Sequence, residues 1–217
     1  MDKYVAKSTQ SSELRQRLDH PVVDADGHVH EAPYVFPDFL KKVGGPDMVA
    51  RFDKARAATR PVGGPKSVPW PGYSAAHTFD RTMVMLPRLY AQRLEETGAD
   101  FCTVYPTLGF GVQVLNDDEI RGASCRALNM MYADMFKDES YRLTPAAIIP
   151  MQTPDEAIAE VEFAVKELGF KALMTSNEAV RVNPLVAEAA PQLGNRVREY
   201  SSLAIDSPLD YDPFWAK

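Results

Sequence analysis

Four apolar segments that alternate with helical segments place the strongest constraint on how this chain can fold. The helices are predicted over 82–97, from an N-cap at Asn116, and from the cap Thr153 to Gly169, with apolar residues at helical spacing in each. The predicted strands are 22–27, 101–105, 143–149 and 170–175. Alternation of this kind predicts a parallel sheet covered by helices, which is an α/β fold.

Two segments near the N-terminus depart from this alternation. Residues 1–20 are polar, and we expect a loosely held N-terminal arm or a short helix there. Residues 31–80 form a long insertion after the first strand that is rich in Pro and Gly, with helix expected only near 47–58. Insertions of this length inside compact domains are uncommon and are often functional.

The C-terminal part is also mixed in character. Within 176–211 we expect a turn or two of helix, placed at 180–193. Asp212-Pro213 then predicts the cap and first position of another helix. The predicted organisation is therefore an N-terminal arm over 1–20 followed by one unit over 21–217, which contains the insertion.

Composition excludes several classes of protein. With 45% hydrophobic and 25% charged residues, the 217-residue chain has ample material for a core. The net charge of −6 gives no electrostatic footprint for nucleic acid or for an anionic membrane surface. No apolar stretch approaches the roughly 20 residues of a membrane span, and no secretory signal is visible. Cys102 and Cys125 are interpreted as buried small apolar residues in a reducing cytosol, so a cytoplasmic protein is predicted.

The first predicted strand ends in a run of residues suited to binding a metal ion, Asp26-Gly27-His28-Val29-His30-Glu31. Residues two apart in an extended chain point to the same face, so the imidazoles of His28 and His30 can converge on one ion such as Zn²⁺. Asp26 would share that face as a further ligand or as a partner that orients a histidine. Glu31 points to the opposite face unless the chain turns.

The position of this run favours a site, because functional residues gather at the carboxyl ends of parallel strands. A His-x-His pair in a soluble chain is nevertheless often a surface or hydrogen-bonded core feature. Tyr105 and Thr107 end the second strand, and they either line the same substrate pocket or only stop the strand. Phosphate-loop and serine-hydrolase motifs are absent from the sequence.

Several segments together resemble a known family. The run from Val22 to Glu31 is similar to the first-strand signature of the amidohydrolase superfamily. Within it, the chain resembles the amidohydrolase-related branch that includes aminocarboxymuconate-semialdehyde decarboxylase and the resorcylate-type decarboxylases. The resemblance covers roughly Val22 to Lys217. It continues through Asp80-Arg81-Thr82, Tyr105-Pro106-Thr107, Gly169-Phe170-Lys171-Ala172 and Tyr211-Asp212-Pro213-Phe214-Trp215-Ala216.

This resemblance implies a (β/α)₈ TIM-barrel fold, of which the chain holds about half, with four β/α units and the insertion after the first strand. It implies one divalent metal ion, most often zinc and sometimes manganese. His28 and His30 match the first-strand ligands, and Asp26 matches the acidic residue before them. The other ligands, and the aspartate expected as general acid/base, match positions beyond Lys217. We therefore expect an N-terminal fragment that is inactive in isolation.

The resulting expectation is a metal-dependent hydrolase or carboxy-lyase that acts on a small cyclic or aromatic carboxylic acid. The alternative is a non-catalytic or split-chain half barrel that needs a partner chain, with a homo-oligomer as one form. A weaker alternative is an open, flavodoxin-like binding module, which would need a phosphate-binding first loop that the Asp-Gly-His-Val-His sequence does not provide.

Overall fold

The computed structural model describes residues 4–32, 34–58, 78–176, 178–193, 197–202 and 207–217. The Pro- and Gly-rich part of the predicted insertion, residues 59–77, lies outside the described residues. Where helices are described, none combines the length and the apolar character that crossing a membrane requires.

A four-stranded parallel sheet forms the centre of the structure. Its strands are arranged in sequence order: β1 (Val23–Val29), β2 (Phe101–Pro106), β3 (Leu143–Ile148) and β4 (Ala172–Met174). Consecutive parallel neighbours joined by helical crossovers are the units of a β/α barrel. The predicted α/β fold and its half-barrel form are therefore confirmed. β1 extends to Val29, beyond the predicted end at 27, so His28 lies inside the strand.

Helices before and between these strands account for most of the remaining structure. They are α1 (Gln10–Arg15), α2 (Phe36–Ala58), α3 (Thr78–Met83), α4 (Pro87–Thr97), α5 (Gly109–Val112), α6 (Asp118–Phe136) and α7 (Pro154–Glu162), which continues as a π-helical turn over Phe163–Glu167. Beyond β4, an antiparallel hairpin of β5 (Glu178–Val182) and β6 (Arg198–Ser202) encloses α8 (Pro184–Ala189), and α9 (Asp212–Trp215) follows.

Several boundaries differ from the sequence-based expectation. The α2 range consists of two helical segments separated at Gly45, whose φ of 78° only glycine adopts readily. The second segment is the helix expected near 47–58, and the first was not expected. The helix expected over 82–97 is divided into α3 and α4, because Pro87 occupies the first turn of α4 and cannot continue a preceding helix. Asp117, rather than Asn116, caps α6.

Two further differences concern the C-terminal part of the chain. The β5–β6 hairpin was not expected within 176–211, where only helix was predicted. Helix α9 begins at Asp212, with Tyr211 in the cap position that was assigned to Asp212.

Near the N-terminus, α1 is the short helix that was one of the two expectations. It is attached to α4, since Thr9 Oγ1 donates to the backbone oxygen of Glu96 at 2.7 Å.

The core lies between the sheet and the helices, and α6 contributes the largest share of it. Val104 of β2, Ile148 of β3 and Leu128 of α6 are fully buried. Cys102 and Cys125 are buried free thiols, as predicted. Along β2, buried residues alternate with exposed or half-buried ones. Phe101, together with Val23 of β1 and Leu173 of β4, leaves apolar surface exposed on the sheet.

Candidate metal centre at the carboxyl edge of the sheet

His28 and His30 lie where β1 reaches the carboxyl edge of the sheet. His28 is in register with Tyr105 of β2. His30 follows the strand directly, and its backbone N–H donates to the oxygen of Val84 at 2.9 Å. Both imidazoles are half-buried. Local sequence explains this placement, because an extended strand carries both histidines to the edge where its loop begins.

Each of these histidines keeps a ring nitrogen unused. Within the described part of the chain, the Nδ1 atoms of His28 and His30 are buried and have no hydrogen-bond partner. A buried polar atom without a partner costs about 1–3 kcal/mol, so such atoms in a native structure need an explanation. Neutral imidazole nitrogens are common ligands of divalent metal ions. Each of the two side chains therefore has a donor atom of the kind that a divalent metal ion binds.

Asp26 does not complete a metal site with them. Among the described residues, no group of three or more His, Cys, Asp or Glu side chains could hold a metal ion. The pairing of β1 with β2 changes register between Asp24 and Gly27, so the simple alternation assumed for Asp26 is interrupted there. Asp26 is exposed, and its backbone N–H donates to Asp24 Oδ1 at 3.0 Å.

The carboxylate of Glu31 binds groups outside the candidate metal centre. Its side chain is only 5% exposed, and both carboxylate oxygens accept from the backbone N–H of Leu108 at 2.9 Å. The hydroxyl of Tyr132 also donates to Oε1. Burial raises the pKa of the Glu31 carboxyl, while the hydrogen bonds from Tyr132 and the loop amides act in the opposite direction. These contacts assign the carboxylate to the loop after β2 and to α6.

Gly27 allows β1 to lie close to β2 at the base of the site. A Cβ atom at this position would be 2.2 Å from Cys102 Sγ and 2.8 Å from the hydroxyl of Tyr90. The glycine in the Asp-Gly-His run therefore has a packing reason, which the sequence pattern did not reveal.

Aromatic rings flank His28. The ring centroids of His28 and Tyr105 are 6.1 Å apart, and those of His28 and Phe110 are 6.0 Å apart. Tyr105 was expected near the site from sequence. Thr107, which was also expected near the site from sequence, is half-buried in the loop after β2.

Phe110 was missed by the sequence analysis, although an aromatic residue between Gly109 and Gly111 just after a strand was an available signal. Its side chain is 56% exposed. An exposed phenylalanine beside an unpartnered histidine forms one apolar wall of the candidate site.

The fold and the two histidines define half of a parallel β/α barrel with a candidate metal centre at its carboxyl edge. The family model described as amidohydrolase matches residues 25–217. The chain belongs to the amidohydrolase family, which confirms the resemblance identified from sequence. A comparison with curated proteins found no match.

Solved structures are similar to this chain at low sequence identity. One is dihydroxybenzoic acid decarboxylase from Polaromonas sp. JS666 with bound manganese and the inhibitor 2-nitroresorcinol. It is 17% identical with a TM-score of 0.53, over 91% of this chain and 46% of that one. Another, 2,6-dihydroxybenzoate decarboxylase from Rhizobium, is 16% identical with a TM-score of 0.49, over 91% and 46% of the two chains. The chain thus spans about half the length of these structures.

Proposed function

We propose that this chain supplies the first-strand ligands, His28 and His30, of a metal-dependent enzyme that decarboxylates or hydrolyses a small cyclic or aromatic carboxylic acid. The observation that carries the proposal is the pair of buried, unpartnered imidazole nitrogens at the carboxyl edge. Membership of the amidohydrolase family and the manganese bound by a structural neighbour support a divalent metal ion, zinc or manganese.

The described residues have separate parts in this proposal. His28 and His30 hold the ion through neutral imidazoles. When bound, a divalent ion supplies charge stabilisation to a substrate carboxylate or lowers the pKa of a water molecule. Phe110 and Tyr105 offer ring faces against which a planar substrate packs. Asp26 keeps the proposed role of orienting a ligand from the exposed strand edge.

The remaining ligands and the general acid/base are assigned to a further polypeptide segment. Since the described residues hold no group of three possible ligands, the site needs at least one donor from elsewhere. The proposal places that donor, with the aspartate that moves a proton to or from substrate, on the other half of a closed barrel. The proposal also includes a small-molecule substrate and a cytoplasmic location.

The test is metal content by elemental mass spectrometry after purification in the presence of Zn²⁺ or Mn²⁺. The 217-residue chain is compared with a form extended by its natural downstream sequence, each with and without His28→Ala/His30→Ala. His20→Ala is the matched control, because His20 is an exposed histidine whose Nδ1 contacts Asp19. We expect stoichiometric metal in the extended form, which the double variant loses and the control keeps. Equal metal content in wild type and double variant would contradict the proposal.

A second candidate function is a non-catalytic half barrel that pairs with another chain. The exposed apolar side chains of Val23, Phe101 and Leu173 on the sheet favour it. Sedimentation velocity distinguishes the two forms. A stable oligomer of the 217-residue chain without bound metal supports this candidate, and a monomer that gains metal only when extended supports the enzyme.

A further inference from the structure

Glu31 connects three parts of the structure that meet beside the candidate site. It follows His30 at the end of β1, and its carboxylate accepts from Leu108 after β2 and from Tyr132 in α6. These partners are 77 and 101 residues away in sequence. One buried side chain thus joins the strand that carries the histidines to the loop that carries the aromatic wall.

A carboxylate buried at this position carries a desolvation cost. Burial of a charged group without partners costs several kcal/mol, and an apolar residue would avoid that cost. Here the backbone N–H of Leu108 and the hydroxyl of Tyr132 satisfy the carboxylate. The orientation of these donors is therefore tied to the position of Glu31, because moving any of the three leaves a buried polar group unpaired.

The Leu108 end of this connection determines where Phe110 lies. Leu108 is the N-cap of α5, and Phe110 is the second residue of that helix. Gly109 packs so closely against β3 that an added Cβ would be 1.7 Å from Ile148 Cδ1. With Gly109 held against β3 and Leu108 held by Glu31, the Phe110 ring is directed to its place 6.0 Å from the His28 ring.

We propose that Glu31 is a positioning residue that holds the end of β1 and the Leu108–Phe110 loop in one arrangement, so that the two histidines and the aromatic wall are organised before any ligand binds. It acts through Leu108 and Tyr132 and is not itself a metal ligand. The inference rests on the proposed function for the role of the histidines and goes beyond it by naming the residue that orders them.

The experiment separates this role from metal binding by using two readouts. In metal-free protein, NOEs between the His28 and Phe110 ring protons report the arrangement directly. In metal-binding protein, Zn²⁺ affinity reports its consequence. The variants are Glu31→Gln, Glu31→Leu and Tyr132→Phe. The matched control is Glu160→Gln, another buried carboxylate, which accepts from Asn129 and Arg126.

We expect Glu31→Leu to remove the His28–Phe110 NOEs and to weaken Zn²⁺ binding by about tenfold, the size of effect usual for residues that orient metal ligands. Tyr132→Phe removes a single oxygen atom and should weaken the NOEs in a folded protein. If Glu31→Leu fails to fold, the NOEs of Tyr132→Phe decide whether these hydrogen bonds position the Phe110 ring. Glu31→Gln keeps an acceptor for Leu108 and should retain part of both signals, and Glu160→Gln should leave both unchanged.

Two results would overturn the inference. One is wild-type NOEs and wild-type Zn²⁺ affinity in folded Glu31→Leu or Tyr132→Phe. The other is complete loss of Zn²⁺ with the NOEs preserved in Glu31→Leu, which would make Glu31 a ligand. If wild-type protein in both the short and the extended forms binds no metal, the proposed function fails. The NOE comparison still decides whether Glu31 positions the loop.

Discussion

The side chain of Asn129 in α6 forms two hydrogen bonds with the backbone of Ile148 in β3. Its Nδ2 donates to the oxygen of Ile148 at 2.9 Å, and the N–H of Ile148 donates to Oδ1 at 2.7 Å. Nδ2 also donates to Glu160 Oε1 at 2.8 Å. Both residues are buried, and the Asn129 amide joins α6 to the carboxyl end of β3. That end of the sheet is the edge that carries the candidate site.

Replacing Asn129 by Leu should therefore destabilise the fold. The change leaves the N–H and C=O of Ile148 without these partners, and each unpaired buried group costs about 1–3 kcal/mol, so we expect a total loss of about 3 kcal/mol. Urea unfolding followed by circular dichroism measures it. Asn116→Leu, at an exposed asparagine, is the control and should change stability by less than about 0.5 kcal/mol. Equal stabilities of the two variants would contradict the assignment.

Replacing the buried Arg121 should strongly destabilise the fold. It is 1% exposed and binds Glu156 through two hydrogen bonds of 3.0 and 2.9 Å that join α6 to α7. Arg121→Ala leaves the carboxylate without this partner, and we expect a loss of about 3 kcal/mol. Arg51→Ala, which breaks exposed pairs with Asp117 and Glu119, should cost much less. Similar costs in guanidinium unfolding would show that burial does not set the strength of the pair.

Gly27→Ala should be destabilising because the new Cβ would meet Cys102 Sγ at 2.2 Å. Overpacking of this kind costs about 1–3 kcal/mol. Cys102→Ala removes the sulfur, so the double variant should recover part of the loss, which thermal unfolding of the two single variants and the double variant detects. Gly111→Ala, where an added Cβ meets nothing within 4 Å, should be neutral or slightly stabilising. Strict additivity in the cycle would rule out the proposed clash.

Asp100 should make stability depend on pH in the acid range. A hydrogen bond from the Arg15 guanidinium, followed by one from the backbone N–H of Val22, lowers the pKa of the Asp100 carboxyl. Since the folded-state pKa lies below the unfolded value near 4, the pair stabilises the fold above about pH 4, and this is lost as pH falls through the folded-state pKa.

The effect should be less than about 1 kcal/mol, because both side chains are partly exposed. Asp100→Asn should flatten the pH dependence of the midpoint of thermal unfolding below about pH 4. Arg15→Ala should remove most of the same dependence, since it deletes the largest cause. An Asp100→Asn variant with wild-type pH dependence would assign the acid sensitivity to other groups.

Local pattern was sufficient for much of the architecture. Phe101–Pro106 is a strand because apolar and β-branched residues follow a helix that ends at Gly98, whose φ of 81° closes the turn. Thr153 caps α7, as predicted, by accepting from the N–H of Glu156. The Glu156 carboxylate binds the buried guanidinium of Arg121 in α6.

Regions that local pattern described poorly share one physical property. The β5–β6 hairpin lacks strong alternation, and its position depends on Arg181, which donates to the backbone oxygen of Gln152 at 2.7 Å after β3. Likewise, the segment of α2 before Gly45 lies in the Pro- and Gly-rich stretch where no helix was expected, yet it is helical, with Phe36 and Leu40 buried in the core. In both cases packing against distant residues outweighs local preference.

The candidate site shows the same division. Residue order alone places His28 and His30 two apart at the end of the first strand, because strand periodicity and the strand's carboxyl end are local properties. Tertiary structure alone decides that Glu31 turns to Leu108 and Tyr132, and that Phe110 lies against His28. Those contacts join positions up to 101 residues apart, and such pairs form only when the strands and helices pack against each other.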